Sequence, residues 1–136
     1  MADCKKIVIT EKAPKAIGPY SVGIVTEQFV FTSGQIGLDP LTGDFVAGGI
    51  ENQTRQALQN LEEILKSADS CLNCVVKTTV FLKNMNDFGK MNTIYAEFFK
   101  DEPPARSAIQ VAALPKGALV EIEAVAKLCC DSCDCS

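Results

Sequence analysis

One arginine and two glutamates interrupt segments that are otherwise apolar: Arg106 in residues 105–114, and Glu121 and Glu123 in residues 119–126. Both segments read as β-strands joined by a short turn. Alternate side chains of a strand point to opposite faces. Arg106, Ala108, Gln110, Ala112 and Leu114 therefore share one face of the first strand. Ser107, Ile109, Val111 and Ala113 take the other. In the second strand Val120, Ile122, Ala124 and Ala126 form a uniformly apolar face, and Leu119, Glu121, Glu123 and Val125 form its opposite. A carboxylate in a covered strand needs a partner or a use. Arg106 could bridge to Glu121 or Glu123 across the strands. Alternatively, the arginine and a glutamate could flank a groove that admits a small acid. With the turn centred near Lys116, Arg106 would pair close to Val125 or Ala126 rather than face Glu121, which leaves both readings open.

The remaining composition narrows the chemistry. There is no histidine among the 136 residues, so imidazole bases, histidine-activated nucleophiles and imidazole metal sites are all excluded. Acid–base work must fall to carboxylates, lysines, tyrosines, cysteines or bound water. A net charge of −4, with no lysine or arginine cluster, argues against electrostatic binding to nucleic acid. No apolar run approaches the ~18 residues of a membrane span, and the first ten residues resemble neither a signal peptide nor a transit peptide, so the expected compartment is the cytoplasm. Cysteines of a cytosolic chain are expected to be thiols. Four of the seven, Cys129, Cys130, Cys133 and Cys135, crowd the last eight residues. Thiolates there could ligate zinc or a soft metal, but the reading adopted is a mobile extension over 129–136 beyond a single domain over 1–128, with no metal site assigned. Cys71 and Cys74 have CxxC spacing, yet they stand at a helix-to-strand junction without the surroundings of a redox motif.

The elements that must position these residues follow in order. Residues 6–10, 20–26 and 29–35 read as strands, the last two as a hairpin. Ser33-Gly34-Gln35-Ile36-Gly37 breaks the third strand as a bulge, an irregular end, or a place where a ligand meets backbone N–H groups. Residues 49–70 carry Ile50, Ala57, Leu58, Leu61, Ile64, Leu65 and Ala68 at helical spacing. Residues 75–82 are β-branched and apolar, as a well-covered strand should be. A second helix over 84–100 buries Phe88, Met91, Tyr95, Phe98 and Phe99, with Asn84 or Asn86 as its cap. The order β-β-β-α-β-α-β-β implies an α+β fold: a six-stranded mixed sheet with two helices on one face. The open face is expected to carry Arg106, Gln110, Glu121 and Glu123. It should be covered by other copies of the chain, in a closed homo-oligomer with sites near subunit boundaries.

Several short motifs occur in one order: Gly18-Pro19-Tyr20-Ser21, Thr32-Ser33-Gly34-Gln35-Ile36, residues 76–82, Pro104-Ala105-Arg106-Ser107, and Leu114-Pro115-Lys116-Gly117 followed by residues 121–126. Together, over residues 5–127, they resemble the RidA/YjgF family of small enamine/imine deaminases, also known as L-PSP endoribonucleases. The resemblance implies a chorismate-mutase-like fold and a homotrimer whose sheets form a central barrel with clefts between subunits. It implies cofactor-free hydrolysis of 2-imino acids, such as 2-iminobutanoate and 2-iminopropanoate, to 2-oxo acids and ammonia. Arg106 would grip the substrate carboxylate, since its planar fork suits a bidentate contact. Glu121 would hold or activate water. Tyr20, Ser33 with the Gly34 backbone, and Asn92 would orient the substrate. Spacing alone does not separate Glu121 from Glu123; the resemblance does. Where many members carry a cysteine, this chain has Ala108, which removes any thiol role at that position. Two other functions remain open: an endoribonuclease or translation inhibitor, and a non-catalytic metabolite-binding or chaperone-like trimer.

Overall fold

A computed structural model describes residues 4–129. Its strands are β1 (Lys6–Ile7), β2 (Gly23–Thr26), β3 (Phe29–Thr32), β4 (Val75–Leu82), β5 (Ala105–Gln110) and β6 (Val120–Lys127). Its helices are α1 (Gly49–Ser67) and α2 (Phe88–Phe98). The sheet order is β1-β2-β3-β6-β4-β5. Among the described residues only β4 and β5 pair in parallel, joined through α2; every other neighbouring pair is antiparallel. The expected α+β class, strand number and element order are all present.

The helical period of α1 buries Ile50, Ala57, Leu58, Leu61, Ile64 and Leu65 against the sheet. Two polar side chains on the same buried stripe organise the loops. Asn60 Nδ2 donates to the carbonyls of Ile36 (3.2 Å) and Leu38 (3.0 Å), and Gln53 Oε1 accepts from Leu119 N–H at 2.9 Å. Thus α1 both covers the core and pins the segments on either side of the β3 and β6 ends. The second helix starts later than its periodicity suggests. Asn84 Oδ1 accepts from Asn86 N–H at 2.9 Å and caps a single tight turn, Met85–Asp87, before α2 begins.

Two expectations fail together. The strands β5 and β6 are not hairpin neighbours, because β4 lies between them. The connecting segment instead crosses the end of β4, with Val111 N–H on Leu82 O (3.0 Å) and Lys83 N–H on Leu119 O (3.0 Å). Residues paired across a sheet share a face, so the β4 registers decide where each polar group points. Arg106 pairs with Thr78, which is buried. Glu121 pairs with Phe81 and Glu123 with Thr79, on the alternate set. Arg106 and Gln110 therefore face the helices, while Glu121 and Glu123 face the open side. They do not share a face, and a cross-strand ion pair between Arg106 and either glutamate is excluded. The open side also carries Phe31 and Ile109, 45% and 46% exposed, so apolar surface stands uncovered on this face from β3 to the edge strand β5.

Leu61 is 1% exposed and lies at the centre of the α1–sheet contact. Leu61→Ala should cost about 2–5 kcal/mol, the usual range for a leucine-sized core cavity. Urea unfolding followed by circular dichroism measures it.

Candidate active site

The arginine half begins on the edge strand β5. Being next to only one neighbour, Arg106 can extend past the sheet margin to α2. Phe88, Asn92 and Tyr95 stand four and three residues apart, so one face of α2 meets the guanidinium. Arg106 Nη1 donates to Asn92 Oδ1 at 2.7 Å. Its Cζ lies 4.8 Å from the Tyr95 ring centroid and 5.3 Å from that of Phe88, within cation–π range. Tyr95 is fixed in turn by a 2.7 Å hydrogen bond between its hydroxyl and that of buried Thr78. Burial raises the Tyr95 pKa, opposed by the Thr78 hydrogen bond and by the positive charge of Arg106, so the ring stays a neutral phenol at pH 7. The resulting cavity, about 470 Å³, is lined by Asn92, Tyr95, Phe99, Pro103, Pro104 and Arg106. No carboxylate among the described residues pairs with Arg106. Its charge is oriented, partly desolvated and left for an anion.

The glutamate half is built by a bulge. Phe31 pairs with Val125, and Gln35 pairs with Ile122. Between these pairs Thr32, Ser33 and Gly34 face only Glu123 and Ala124, so the β3 side carries one extra residue. Thr32 Oγ1 takes the Ala124 N–H at 3.0 Å, which keeps the ladder satisfied across the irregularity. The bulge brings the Gly34 backbone onto Glu121. A Cβ at Gly34 would stand 2.7 Å from Glu121 Cγ and Cδ, so a side chain there must displace the carboxylate. Glu121, Gly34, Gln35, Tyr20, Lys15 and Pro115 line a small cleft of about 60 Å³. Burial, and secondarily the neighbouring charge of Glu123, raises the Glu121 pKa above the ordinary glutamate value. A carboxyl tuned upward is better matched to exchanging protons near neutral pH.

The structure thus brings together Tyr20, Gly34 and Glu121, and separately Asn92 and Arg106. Ser33 lines neither cleft. Its hydroxyl donates to the Ser21 carbonyl and its N–H to Val22 O at 2.9 Å, so it ties the Tyr20 loop to the bulge. Tyr20 is 47% exposed, and its hydroxyl accepts a long 3.4 Å contact from Ile17 N–H. Sequence reading missed Phe88 and Tyr95 as the arginine's cradle, taking both only as core. It missed Lys15 in the glutamate cleft, and Asn60, which holds that cleft's wall at Ile36 and Leu38. The α2 spacing of Phe88, Asn92 and Tyr95 was the available signal; the others had none in local pattern.

A raised glutamate pKa has a definite effect on stability. The folded chain holds a proton that the unfolded chain has released, so stability falls as pH rises from the unfolded to the folded value. Above that window the ionised Glu121 is a cost. Glu121→Gln should therefore be more stable than the parent at neutral pH. The difference should close as pH falls below the ordinary glutamate range, read from urea midpoints across pH. Equal midpoints at neutral pH would refute the desolvation account.

The comparisons agree with this architecture. The family model described as Endoribonuclease L-PSP matches residues 10–128. A RutC family protein of Pyrococcus horikoshii is 54% identical over 122 residues, covering 90% of this chain and 97% of that protein. The 2-iminobutanoate/2-iminopropanoate deaminase of Mus musculus is also 54% identical over 122 residues, covering 90% of each chain. Among solved structures, Escherichia coli TdcF with bound serine superposes with a TM-score of 0.86 at 42% identity, covering 91% of this chain and 99% of that one. Yeast Mmf1 superposes with a TM-score of 0.89 at 37% identity, covering 92% and 99%. With a family match over most of its length and relatives above 50% identity, the chain belongs to the RidA/YjgF family, the Endoribonuclease L-PSP family.

Proposed function

We propose that the protein hydrolyses small 2-imino acids to 2-oxo acids and ammonia without a cofactor, in a homotrimer whose sites lie between subunits. The observation that carries this reading is the division of the site. One chain holds an anion-ready arginine on the helix face and a pKa-raised glutamate on the open face, in clefts with no lining residue in common. Neither half is complete alone. A second copy placing its Arg106 half against the Glu121 half would complete the site and cover the exposed open face. The deaminase relatives and the serine bound to TdcF support a small carboxylate-bearing ligand.

In this mechanism Arg106, steadied by Asn92, binds the substrate carboxylate through paired hydrogen bonds. Tyr20 and the Gly34 backbone hold the imine end beside Glu121. Water attacks the electrophilic C=N carbon while Glu121 accepts its proton. The proton passes to the amine nitrogen of the tetrahedral intermediate, ammonia leaves, and the carbonyl forms. Histidine is unnecessary, because a protonated imine is already activated and positioning supplies much of the remaining barrier reduction.

A dehydratase-coupled assay of 2-oxo acid formation tests the reading. Arg106→Ala should lower kcat/KM on the order of 100-fold or more, as truncation at a desolvated charge contact does. Glu121→Gln should lower kcat. Neither double dose nor excess of one variant should help, but co-refolded Arg106→Ala and Glu121→Gln chains should recover roughly a quarter of parental activity. Random assortment puts two intact halves at about one interface in four. No recovery from verified mixed trimers would overturn the shared site. The family model's description supports one second reading: cleavage of single-stranded RNA by the parent but not by Arg106→Ala would favour an endoribonuclease.

A further inference from the structure

Arg106 occupies only one end of its cavity. The cavity measures about 470 Å³, within the ~300–1,000 Å³ of sites that enclose drug-sized ligands. A carboxylate held by Arg106, with only a methyl or ethyl group attached beyond C2, leaves much of that space empty. The rest of the wall is apolar. Asn92, Ala96 and Phe99 follow one another at helical spacing, with Tyr95 on the same side, so α2 turns from polar to apolar as it leaves the arginine. The Tyr95 and Phe99 rings pack together, centroids 4.7 Å apart, and the Tyr95 hydroxyl is already engaged by Thr78. Glu102 then takes a left-handed backbone (φ 48°), uncommon outside glycine, and Pro103 and Pro104 line the cavity just ahead of Arg106. Proline has no N–H to donate. Arg106 is the one charged residue of this lining among the described residues, and none of them is a cysteine. Cys129, assigned above to a terminal extension, closes instead against the turn after α1, its N–H donating to Asp69 O at 2.8 Å, and Cys130, Cys133 and Cys135 lie outside the described residues.

We infer that the apolar end of this cavity is the subsite for the substrate's side chain, and that the protein favours 2-imino acids bearing branched aliphatic or aromatic groups. The inference rests on the deaminase reading and deepens it by naming the group carried at C2. With the carboxylate fixed on Arg106, C2 is one bond away, and the imine nitrogen and the side chain diverge from it. The imine must point to the glutamate half, so the side chain is left the direction of Ala96, Phe99 and the prolines. A polar or acidic group sent there would lose water without finding a donor. An apolar one gains roughly fourfold in binding for each CH₂ it buries. Every residue of this wall belongs to one chain, so the subsite needs no second copy, whereas the proposed chemistry does. Ala96 sets its depth. It is exposed on α2, and its methyl is the smallest side chain of the wall, so a longer one enters the cavity without disturbing the core.

The test uses the full 136-residue chain. D-amino-acid oxidase with catalase generates the imine from D-alanine, D-leucine or D-phenylalanine, and C2 is achiral in each product. Imine loss is followed by semicarbazide trapping, with spontaneous hydrolysis subtracted. The kcat/KM for the leucine and phenylalanine imines should exceed that for the alanine imine on the order of tenfold or more. Ala96→Leu should lower this ratio on the order of tenfold, with the circular dichroism of the parent, since leucine is also a strong helix former. Inhibition supplies a readout independent of turnover. The 2-oxo acid of leucine should inhibit the parent on the order of tenfold more tightly than pyruvate, and Ala96→Leu should erase that preference. Turnover of the alanine imine with no preference for the larger ones, or a preference unchanged in Ala96→Leu, would overturn the side-chain subsite and leave the deaminase reading standing. No turnover of any of the imines would overturn the deaminase reading and the subsite with it.

Discussion

The parity of β4 is the constraint on which the rest depends. This strand is hydrogen-bonded on both sides, to β5 in parallel and β6 in antiparallel register, so its two faces dictate those of both neighbours. Thr78, Val80 and Leu82 must stay in the core, since they are 1%, 0% and 0% exposed. That requirement turns Arg106 toward α2 and Glu121 toward the open side. Shifting the β6 register by one residue would turn Glu121 and Glu123 under the helices and expose Val120 and Ile122, so that register is strongly specified. The separation of arginine and glutamate is thus a consequence of core packing, and the proposal that a second copy completes the site follows from it.

Each half then uses a local device to keep a charge ready. Arg106 sits on an edge strand, where a long side chain can leave the sheet. Two aromatic rings and one amide orient it without neutralising it. A carboxylate in place of Asn92 would bind the guanidinium more strongly and compete with any ligand acid. At Glu121 the device is the opposite: among the described residues no side-chain donor hydrogen-bonds the carboxylate, and the bulge presses backbone against it. Burial without compensation keeps proton affinity high. Gly34 is what permits this approach, because any Cβ would occupy the carboxyl's place. The same bulge would waste stability in a purely structural sheet, which is the usual mark of a feature kept for function.

Local pattern carried much of this fold. The α1 stripe at Ile50, Leu58, Leu61 and Leu65 and the covered strand β4 follow from periodicity, because a helix or strand must bury one face whatever its partner. The order of elements was legible for the same reason, whereas at Ser33-Gly34 the pattern showed a break and left a bulge and an irregular strand end both open. Strand pairing was not. Nothing in the apolar alternation of residues 105–110 and 120–127 tells that β4 inserts between them, and adjacency in sequence suggested a hairpin. The face assignment failed as a direct result. Polar partners on helices were equally hidden: Asn60, Gln53 and Asn92 look like solvated positions until a loop or strand arrives opposite them. Arg106 and Glu121 were identified as a pair from the family motifs, and geometry then separated them.

The cysteines show the same limit from the other side. CxxC spacing at 71–74 is weak in isolation, and so is a cysteine near a chain end. Their meeting depends on β6 running antiparallel to β4, which returns the C-terminal end of β6 to the start of β4. Val75 pairs with Ala126, so a residue three further along the chain arrives beside the turn that precedes Val75. The pairing that places Glu121 opposite Phe81 at one end of the ladder therefore places Cys129 by Cys74 at the other.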